Sequence, residues 1–201
     1  MNLLSSFNKI FIMGIGGSGM SSIAKYLKQK GHDVEGYDQR SSYITNLLES
    51  DGVITCQNID NFRYQEDVLY VISSAINLED TFLENYTDSE NVISRPKFLE
   101  LLSEEVEILG ITGTHGKTST TALVSHIFHF NNKNASFIYG GVSGFGNLGG
   151  HFGEKTQPLI LETDEAFNTF KNINIKDLIV TNIDNDHIDF YESYENLIDA
   201  F

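Results

Sequence analysis

Cysteine is almost absent from this chain. Its 201 residues include a single cysteine, Cys56, so no disulfide can form within the sequence. A lone thiol is typical of proteins from a reducing compartment. The N-terminus also lacks the basic start, apolar core and cleavage site of a secretory signal. These features predict a cytoplasmic protein.

Basic residues and long apolar stretches are scarce as well. The chain has 13 lysines and arginines against 28 acidic residues, which gives a formal net charge of −15. Because such a surface repels nucleic acid and anionic membranes, we expect neither as a partner. No stretch approaches the roughly eighteen consecutive apolar residues that a membrane-spanning helix needs. A nucleotide remains a possible ligand, since a local site needs only a few N–H groups and one lysine. Nothing in the composition indicates an oligomeric state.

The most informative segment runs from Ile108 to Thr121 and reads ILGITGTHGKTSTT. The end of an apolar strand is followed by three glycines, then by Lys-Thr and the apolar rhythm of a helix. This order is typical of a phosphate-binding loop, in which backbone N–H groups and the positive end of a helix face the anion. The residues predicted to bind a nucleotide are Gly113, Thr114, His115, Gly116, Lys117, Thr118 and Ser119.

Two side chains of this loop have predicted roles. Lys117 would reach the outer phosphates, and the Thr118 hydroxyl would hold Mg²⁺. The usual P-loop has a glycine where this chain has Ile111, so the match is to the shorter pattern G-x-x-G-K-T. The alternative is that Gly-Lys-Thr is only a turn before a surface helix.

A second glycine-rich turn lies near the N-terminus. A predicted strand, Lys9–Met13, runs into GIGGSG, a predicted helix covers Met20–Lys30, and a second strand ends at Asp38. This is the dinucleotide-type fingerprint, which indicates a diphosphate-and-ribose site without specifying a nicotinamide. Asp38 is alternatively a solvated acid at a strand end. The residues predicted to bind this ligand are Gly14, Ile15, Gly16, Gly17, Ser18, Gly19 and Asp38.

Further candidates follow the next predicted strands. Ser73 and Ser74 come after an unbroken apolar strand, at the carboxyl end where ligands of open α/β sheets collect. Arg95 follows a short strand before a helix that we predict from Lys97, and it is either an anion ligand or a surface arginine. The polar run SEEVE then separates two α/β patterns. We therefore predict a Rossmann-like parallel-sheet domain over 1–103 and part of a P-loop-type α/β ATPase domain over 104–201.

Three strand ends of the second unit are predicted to meet in one crevice. They carry the Lys117-Thr118 pair, Glu162 and the segment from Asn182 to His187. Phosphoryl transfer needs oxygen ligands for Mg²⁺, a lysine for phosphate charge and backbone N–H groups. Glu162 suits the metal. His187 is either a second ligand or an anchor for phosphate, although Mg²⁺ prefers oxygen. The glycine-rich stretch 140–153 is predicted to be a mobile loop near the ligand, or an ordinary connector.

Several segments together resemble the Mur ligases of bacterial peptidoglycan synthesis. They are TGTHGKTSTT, LETDE, TNIDNDHIDFY, GIGGSGM and SSAI, and the likeness extends from Ile10 to Tyr191. The resemblance implies that Gly14 to Gly19 face the UDP part of a UDP-sugar and that Lys117 contacts the phosphates of ATP. It also implies that Thr118, Glu162 and His187 serve magnesium sites, and that Asn182 lines the same crevice.

The resemblance further implies a reaction. ATP would phosphorylate the carboxylate of UDP-N-acetylmuramate, and the amine of L-alanine would attack the acyl phosphate to give an amide, ADP and phosphate. In having histidine at position 115, the chain resembles the alanine-adding members and the ligase that recycles murein tripeptide. The segment NIDNDHIDFY is more similar to the former.

The sequence departs from the family at two places. LETDEAF stands where the family more often has a run of acid-alanine-acid-acid, which affects the details near Asp164 and Glu165. Relatives also continue well past Phe201, so we expect this chain to be a fragment that does not turn over by itself. Two further hypotheses are a nicotinamide-dependent dehydrogenase built on the first glycine turn and a non-catalytic UDP-sugar-binding module.

Overall fold

A computed structural model of the chain describes residues 3–79, 81–143, 147–164 and 172–184, together with residues 193, 195, 196 and 198. Within this part, two five-stranded sheets follow each other along the chain. Helices accompany both sheets, so the predicted α/β class is confirmed. None of the helices in the described ranges has the length and apolar character needed to cross a membrane.

The first sheet is parallel throughout and has the strand order β3-β2-β1-β4-β5. Its strands are β1 (Lys9–Met13), β2 (Asp33–Tyr37), β3 (Ile54–Cys56), β4 (Val68–Ile72) and β5 (Val92–Ser94). The strand order reverses between the neighbouring strands β1 and β4. From β1 the chain proceeds outward to β2 and β3, and from β4 it proceeds outward to β5 on the other side. The crevice between the carboxyl ends of such strands is where open α/β sheets bind ligands.

The helices of the first unit are α1 (Leu3–Ser6), α2 (Ser18–Lys30), α3 (Tyr43–Ser50) and α4 (Arg95–Ser103). As predicted, α2 ends at Gly31, which adopts a left-handed φ of 102°. The prediction that α4 begins at Lys97 is wrong by two residues. Pro96 lies in the first turn of the helix, where a missing N–H costs no intrahelical hydrogen bond.

The short strand β3 was not predicted from the sequence. It has only three residues, Ile54–Cys56, and Ile54 is 58% exposed, so no apolar run marks it. It pairs with β2 at the edge of the sheet. Edge strands of this length carry little hydrophobic pattern, which is why the sequence does not reveal them.

The second sheet has the order β10-β6-β9-β7-β8. Its strands are β6 (Ile108–Thr112), β7 (Ser136–Val142), β8 (Leu148–His151), β9 (Leu159–Glu162) and β10 (Ile175–Val180). All neighbouring pairs are parallel except β7 with β8. The helix α5 (Lys117–Phe130) follows β6 and packs Val124 and Phe128 against a small core on this sheet.

The prediction of a loop over residues 140–153 is wrong at both of its ends. There the chain continues β7 to Val142 and forms β8 from Leu148, so that the two strands make an antiparallel pair. The glycines of β8 are required by packing rather than by mobility. A Cβ on Gly150 would overlap the carbonyl oxygen of Ser22 in α2, and one on Gly149 would overlap that of Tyr139.

Helix α2 joins the two units, because it lies between the first sheet and the β7–β8 pair. The Ser22 hydroxyl donates a hydrogen bond to the carbonyl oxygen of Tyr139 at 2.6 Å. The Phe152 N–H donates to the side-chain oxygen of Gln29 at 2.9 Å. One buried apolar cluster contains Ile23 from α2 together with Leu148 from β8. The loop that precedes α2 is therefore held at a fixed place relative to the second sheet.

Candidate functional site

The glycine loop (residues 14–19) connects β1 to α2 at the crevice of the first sheet. Gly14 has a φ of 79°, and a Cβ at this position would lie 2.9 Å from Ser73 Cβ. Its N–H donates to the carbonyl oxygen of Tyr37 at 2.8 Å, and so does that of Ile15 at 3.0 Å. Gly17 is the N-cap of α2 and offers no side-chain cap. The positive end of α2 is thus directed to the crevice by backbone alone.

Asp38 turns its carboxylate onto the glycine loop. One oxygen accepts a hydrogen bond from the Gly16 N–H at 2.9 Å, and the other accepts from the Arg40 N–H at 3.3 Å. A Cβ at Gly16 would lie 2.8 Å from the same carboxylate. Asp38 is therefore a part of the loop's structure. An anionic ligand at this loop has to use the amides nearer α2 or displace the carboxylate.

The two predicted serines lie at the carboxyl end of β4. The Ser73 N–H donates to the carbonyl oxygen of Met13 at 3.1 Å, which places Ser73 beside the glycine loop. Ser74 is exposed. Both residues therefore lie at the crevice that the strand order predicts for a ligand.

The phosphate cradle (residues 113–119) connects β6 to α5. Gly113 and Gly116 have φ values of 124° and 80°, which are left-handed conformations that favour glycine. A Cβ on Gly113 would collide with Thr181 Oγ1 and lie 2.6 Å from the carbonyl oxygen of Asn182. Gly116 is the N-cap of α5 and provides no side-chain cap, and Thr118 and Ser119 in the first turn are exposed.

The ammonium group of Lys117 lies across the cradle. It donates to the carbonyl oxygens of Gly113 at 2.7 Å and Thr114 at 3.3 Å. These carbonyls belong to the loop that would surround a phosphate. A bound phosphate would give the ammonium a stronger, charge-assisted partner. If a nucleotide bound here, Lys117 would have to exchange these carbonyls for phosphate oxygens.

Glu162 connects the cradle to β7. The Thr118 hydroxyl donates to Glu162 Oε1 at 2.7 Å, and the Gly140 N–H donates to Glu162 Oε2 at 2.6 Å. The hydroxyl and the carboxylate are hard oxygen donors of the kind that Mg²⁺ prefers. No cluster of three or more His, Cys, Asp or Glu side chains is found among the described residues. The pair Thr118 and Glu162 fits one part of a magnesium shell, and the predicted ligand His187 lies outside the described residues.

Asn182 and Thr181 lie directly beneath the cradle. The side chain of Asn182 bonds to the backbone of His115 at both its N–H and its carbonyl group. The Thr181 hydroxyl donates to the same carbonyl at 2.7 Å. The imidazole of His115 is 67% exposed, with its Nε2 3.9 Å from Asp184 Oδ2. The bond from Thr181 to the cradle was not predicted from the sequence. The pattern that could have indicated it is Thr-Asn directly after an apolar strand.

The two units meet in a cavity of about 220 Å³, which we call the interunit cavity. It is lined by Ser18, Gly19, Arg95, Thr118, Gly140, Gly141, Glu162 and Asp164. A Cβ on Gly140 would lie 3.4 Å from Ser18 Oγ and 3.6 Å from Glu162 Oε2, so both side chains border this glycine. The sequence predicts each loop, but it does not predict that they share a cavity.

Arg95 and Asp164 close one wall of the interunit cavity. Arg95 Nη1 lies 3.3 Å from Asp164 Oδ2, and their side chains are 27% and 44% exposed. The guanidinium also borders Gly19, where a Cβ would lie 3.1 Å from Nη2. Arg95 is therefore placed between the positive end of α2 and the carboxylate of Asp164, which follows β9. Such a position suits a negatively charged group of a ligand.

Comparison with known families gives two adjoining matches. Residues 9–107 match the model of the Mur ligase family, catalytic domain, and residues 111–201 match the model of the Mur ligase middle domain. Together they span nearly the whole sequence.

The chain is also similar to curated proteins named UDP-N-acetylmuramate–L-alanine ligase. The protein from Hydrogenobaculum sp. is 37% identical over 97% of this chain and 43% of its own length. The protein from Cytophaga hutchinsonii is 30% identical over 98% of this chain and 45% of its own length. This chain therefore spans less than half the length of these relatives.

A solved structure has the same fold. The crystal structure of UDP-N-acetylmuramate-alanine ligase from Thermotoga maritima aligns with a TM-score of 0.80 at 28% identity. The alignment covers 96% of this chain and 45% of that one. The arrangement of both sheets is thus shared with a protein of that name.

Proposed function

Because this chain belongs to the Mur ligase family, we propose that its protein is an ATP-dependent ligase that joins L-alanine to UDP-N-acetylmuramate. The observation that carries this proposal is the interunit cavity, because Ser18 of the glycine loop and Thr118 of the phosphate cradle line it together. A substrate anchored in the first unit can present its carboxylate to a nucleotide in the second. The protein would act in the cytoplasm, in peptidoglycan precursor synthesis.

The two units have separate binding roles in this proposal. Residues 1–103 hold the UDP-sugar, with the diphosphate near the amides that begin α2 and the nucleoside toward Asp38, Ser73 and Ser74. Residues 104–201 begin the nucleotide-binding unit, with the phosphates of ATP in the cradle. The carboxylate of the sugar then lies in the interunit cavity, where Arg95 provides a positive charge.

The chemistry proceeds in two steps. In the first, the bond between the γ-phosphorus of ATP and its bridging oxygen breaks, and a bond from a carboxylate oxygen to that phosphorus forms, which leaves ADP. In the second, the amine of L-alanine attacks the acyl carbon and loses a proton, and inorganic phosphate leaves. Lys117 and the cradle amides stabilise the charge on the transferred group.

Thr118 and Glu162 would hold magnesium beside the phosphates, because their oxygens already lie 2.7 Å apart at the cradle. When bound, the ion would neutralise phosphate charge during transfer. Before that, Glu162 is kept in place by the Gly140 N–H, so its orientation does not depend on the ion. His187 stays a predicted third ligand.

The alternative within the family is the ligase that recycles murein tripeptide, which shares a histidine at position 115. The two curated relatives described above carry the name of the alanine-adding enzyme, which favours L-alanine as the second substrate. A nicotinamide-dependent dehydrogenase would leave the phosphate cradle without a role. A non-catalytic UDP-sugar-binding module would use the first unit alone.

A thermal-shift titration of the chain with UDP-N-acetylmuramate, Mg-ATP and NADH tests the proposal. A ligand at about one hundred times its dissociation constant adds roughly 2.7 kcal/mol of stability, which raises the melting temperature by several degrees. We expect UDP-N-acetylmuramate to produce this shift and NADH to produce none. A shift with NADH alone would overturn the proposal.

A further inference from the structure

The side chain of Asn182 bonds to both backbone groups of one residue in the phosphate cradle. Its Oδ1 accepts a hydrogen bond from the His115 N–H at 2.9 Å, and its Nδ2 donates to the His115 carbonyl oxygen at 2.8 Å. A carboxamide that binds both backbone groups of one residue acts like a neighbouring strand. Its oxygen and its nitrogen are thus both bonded to the loop itself.

The segment around Asn182 makes further bonds to the cradle. The Thr114 N–H donates to the backbone carbonyl of Asn182 at 3.0 Å, and the Asp184 N–H donates to the Thr114 hydroxyl at 2.9 Å. The Thr181 hydroxyl donates to the carbonyl oxygens of His115 and Thr112. Residues 181–184 thus support the cradle from beneath along its first half.

The cradle needs such support because of its composition. Gly113 and Gly116 enclose the loop, and glycine has more backbone conformations to lose than any other residue. A phosphate site works only when several N–H groups already point to one place. Fixing the loop before the ligand arrives removes this ordering cost from binding.

We propose that Asn182 is a positioning residue of the phosphate cradle, and that it acts through His115 without touching substrate. This inference rests on the proposed function, in which the cradle binds the phosphates of ATP. It replaces the role that the sequence suggests for Asn182, a group that lines the crevice and contacts substrate. Asparagine suits the position because aspartate lacks the donor and leucine lacks both groups.

The test compares Asn182→Ala with a matched control, Asn131→Ala. Asn131 also donates its side-chain N–H to a backbone carbonyl at 2.8 Å, that of Ile127, but at the far end of α5. Binding of Mg-ATP and of UDP-N-acetylmuramate is measured by isothermal titration calorimetry. Hydrogen exchange of the His115 amide is followed by NMR in the free proteins.

We expect Asn182→Ala to raise the dissociation constant for Mg-ATP about tenfold or more, since two hydrogen bonds that shape the site are lost. Its affinity for UDP-N-acetylmuramate stays unchanged, and the His115 amide loses its protection from exchange. Asn131→Ala behaves as the wild type in all three measurements. If Asn182→Ala does not fold, Thr181→Val carries the test, because it removes a hydroxyl donor to His115 while keeping the side-chain shape.

Two results would contradict the inference and are separable from a failure of the proposed function. Equal Mg-ATP affinity in the wild type and Asn182→Ala, or an unchanged exchange rate of the His115 amide, would show that the loop keeps its shape unaided. A wild-type chain that binds neither Mg-ATP nor UDP-N-acetylmuramate would instead refute the proposed function. In that case, the exchange of the His115 amide still decides whether Asn182 positions the loop.

Discussion

Arg95, in the first unit, forms an ion pair at 3.3 Å with Asp164, in the second, at one wall of the interunit cavity. The pair is partly exposed, so its net contribution to stability is below about 1 kcal/mol. The position of the pair matters more than its stability, because the guanidinium faces the cavity where we propose that the substrate carboxylate lies. The pair therefore identifies a positive charge whose loss affects binding more than folding.

Replacing Arg95 by alanine tests this charge. A charge-assisted hydrogen bond contributes roughly 1.5–3 kcal/mol, so Arg95→Ala is expected to weaken binding of UDP-N-acetylmuramate by about tenfold or more. The free energy of unfolding should change by less than about 1 kcal/mol. Calorimetric titration and urea denaturation measure the two effects. Lys97→Ala is the control, since Lys97 lies in the same helix and pairs with Glu100 in solvent; an equal loss of affinity in both variants would argue against a direct role.

Lys117 is expected to be required for nucleotide binding. In Lys117→Met the side chain keeps its approximate length but loses the ammonium group, which now donates to loop carbonyls and would donate to the phosphates of a bound nucleotide. The melting-temperature increase caused by Mg-ATP should disappear, while that caused by UDP-N-acetylmuramate remains. The control is Lys133→Met. Lys133 lies beyond the end of α5, so this variant removes an exposed lysine from the same unit. A retained response to Mg-ATP in Lys117→Met would place the nucleotide elsewhere.

Gly150 is expected to be essential for the joint between the units. A methyl group there would overlap the carbonyl oxygen of Ser22, a backbone atom of α2 that cannot move independently. We expect Gly150→Ala to lower the free energy of unfolding by about 3 kcal/mol or more. Gly52→Ala is the control, because Gly52 has a left-handed φ of 81° but only a lysine tip 3.5 Å away. Its cost should be about 1–2 kcal/mol; similar values for both variants in urea denaturation would mean that α2 can shift.

Acid is expected to destabilise the protein through two histidines. Burial lowers the pKa of His32, with an added effect from Lys30, and burial lowers that of His151. In the unfolded chain both rings protonate near pH 6.5, but the folded protein resists protonation there. The stabilisation is complete above that pH and is lost as the pH falls from 6.5 toward the lower folded-state values.

The free energy of unfolding should therefore decrease between about pH 7 and pH 5. Replacing both His32 and His151 by asparagine should flatten this part of the profile. A profile that is equally steep without the two half-buried rings would assign the effect to other groups.

The local parts of both sites were predictable from the sequence because each consists of neighbouring residues. The order of strand, glycine loop and helix identifies the turn before α2 and the cradle before α5, and the structure has both. The strand ends at Glu162 and Asn182 were predicted to approach the cradle, and they do so through Thr118 and His115. These relations follow from the rule that parallel strands end at one edge of a sheet.

The joint between the units was not predictable in the same way. Ser22 bonds to Tyr139 across 117 positions of sequence, and no periodicity relates the two residues. Glycines 149 and 150 suggested a flexible loop, since the sequence alone does not distinguish a glycine that gives freedom from one that makes room for a neighbouring backbone. The pairing of Arg95 with Asp164 was also not predictable, because the two residues belong to different units.

The central claim is that the interunit cavity receives the carboxylate of a UDP-sugar. The most direct measurement is a pair of calorimetric titrations of the chain with UDP-N-acetylmuramate and with UDP-N-acetylglucosamine, which lacks the lactyl carboxylate. The account predicts that the first sugar binds about tenfold more tightly or better, and that Arg95→Ala removes most of this difference. Equal affinities for the two sugars would contradict it, because the cavity would then recognise no carboxylate.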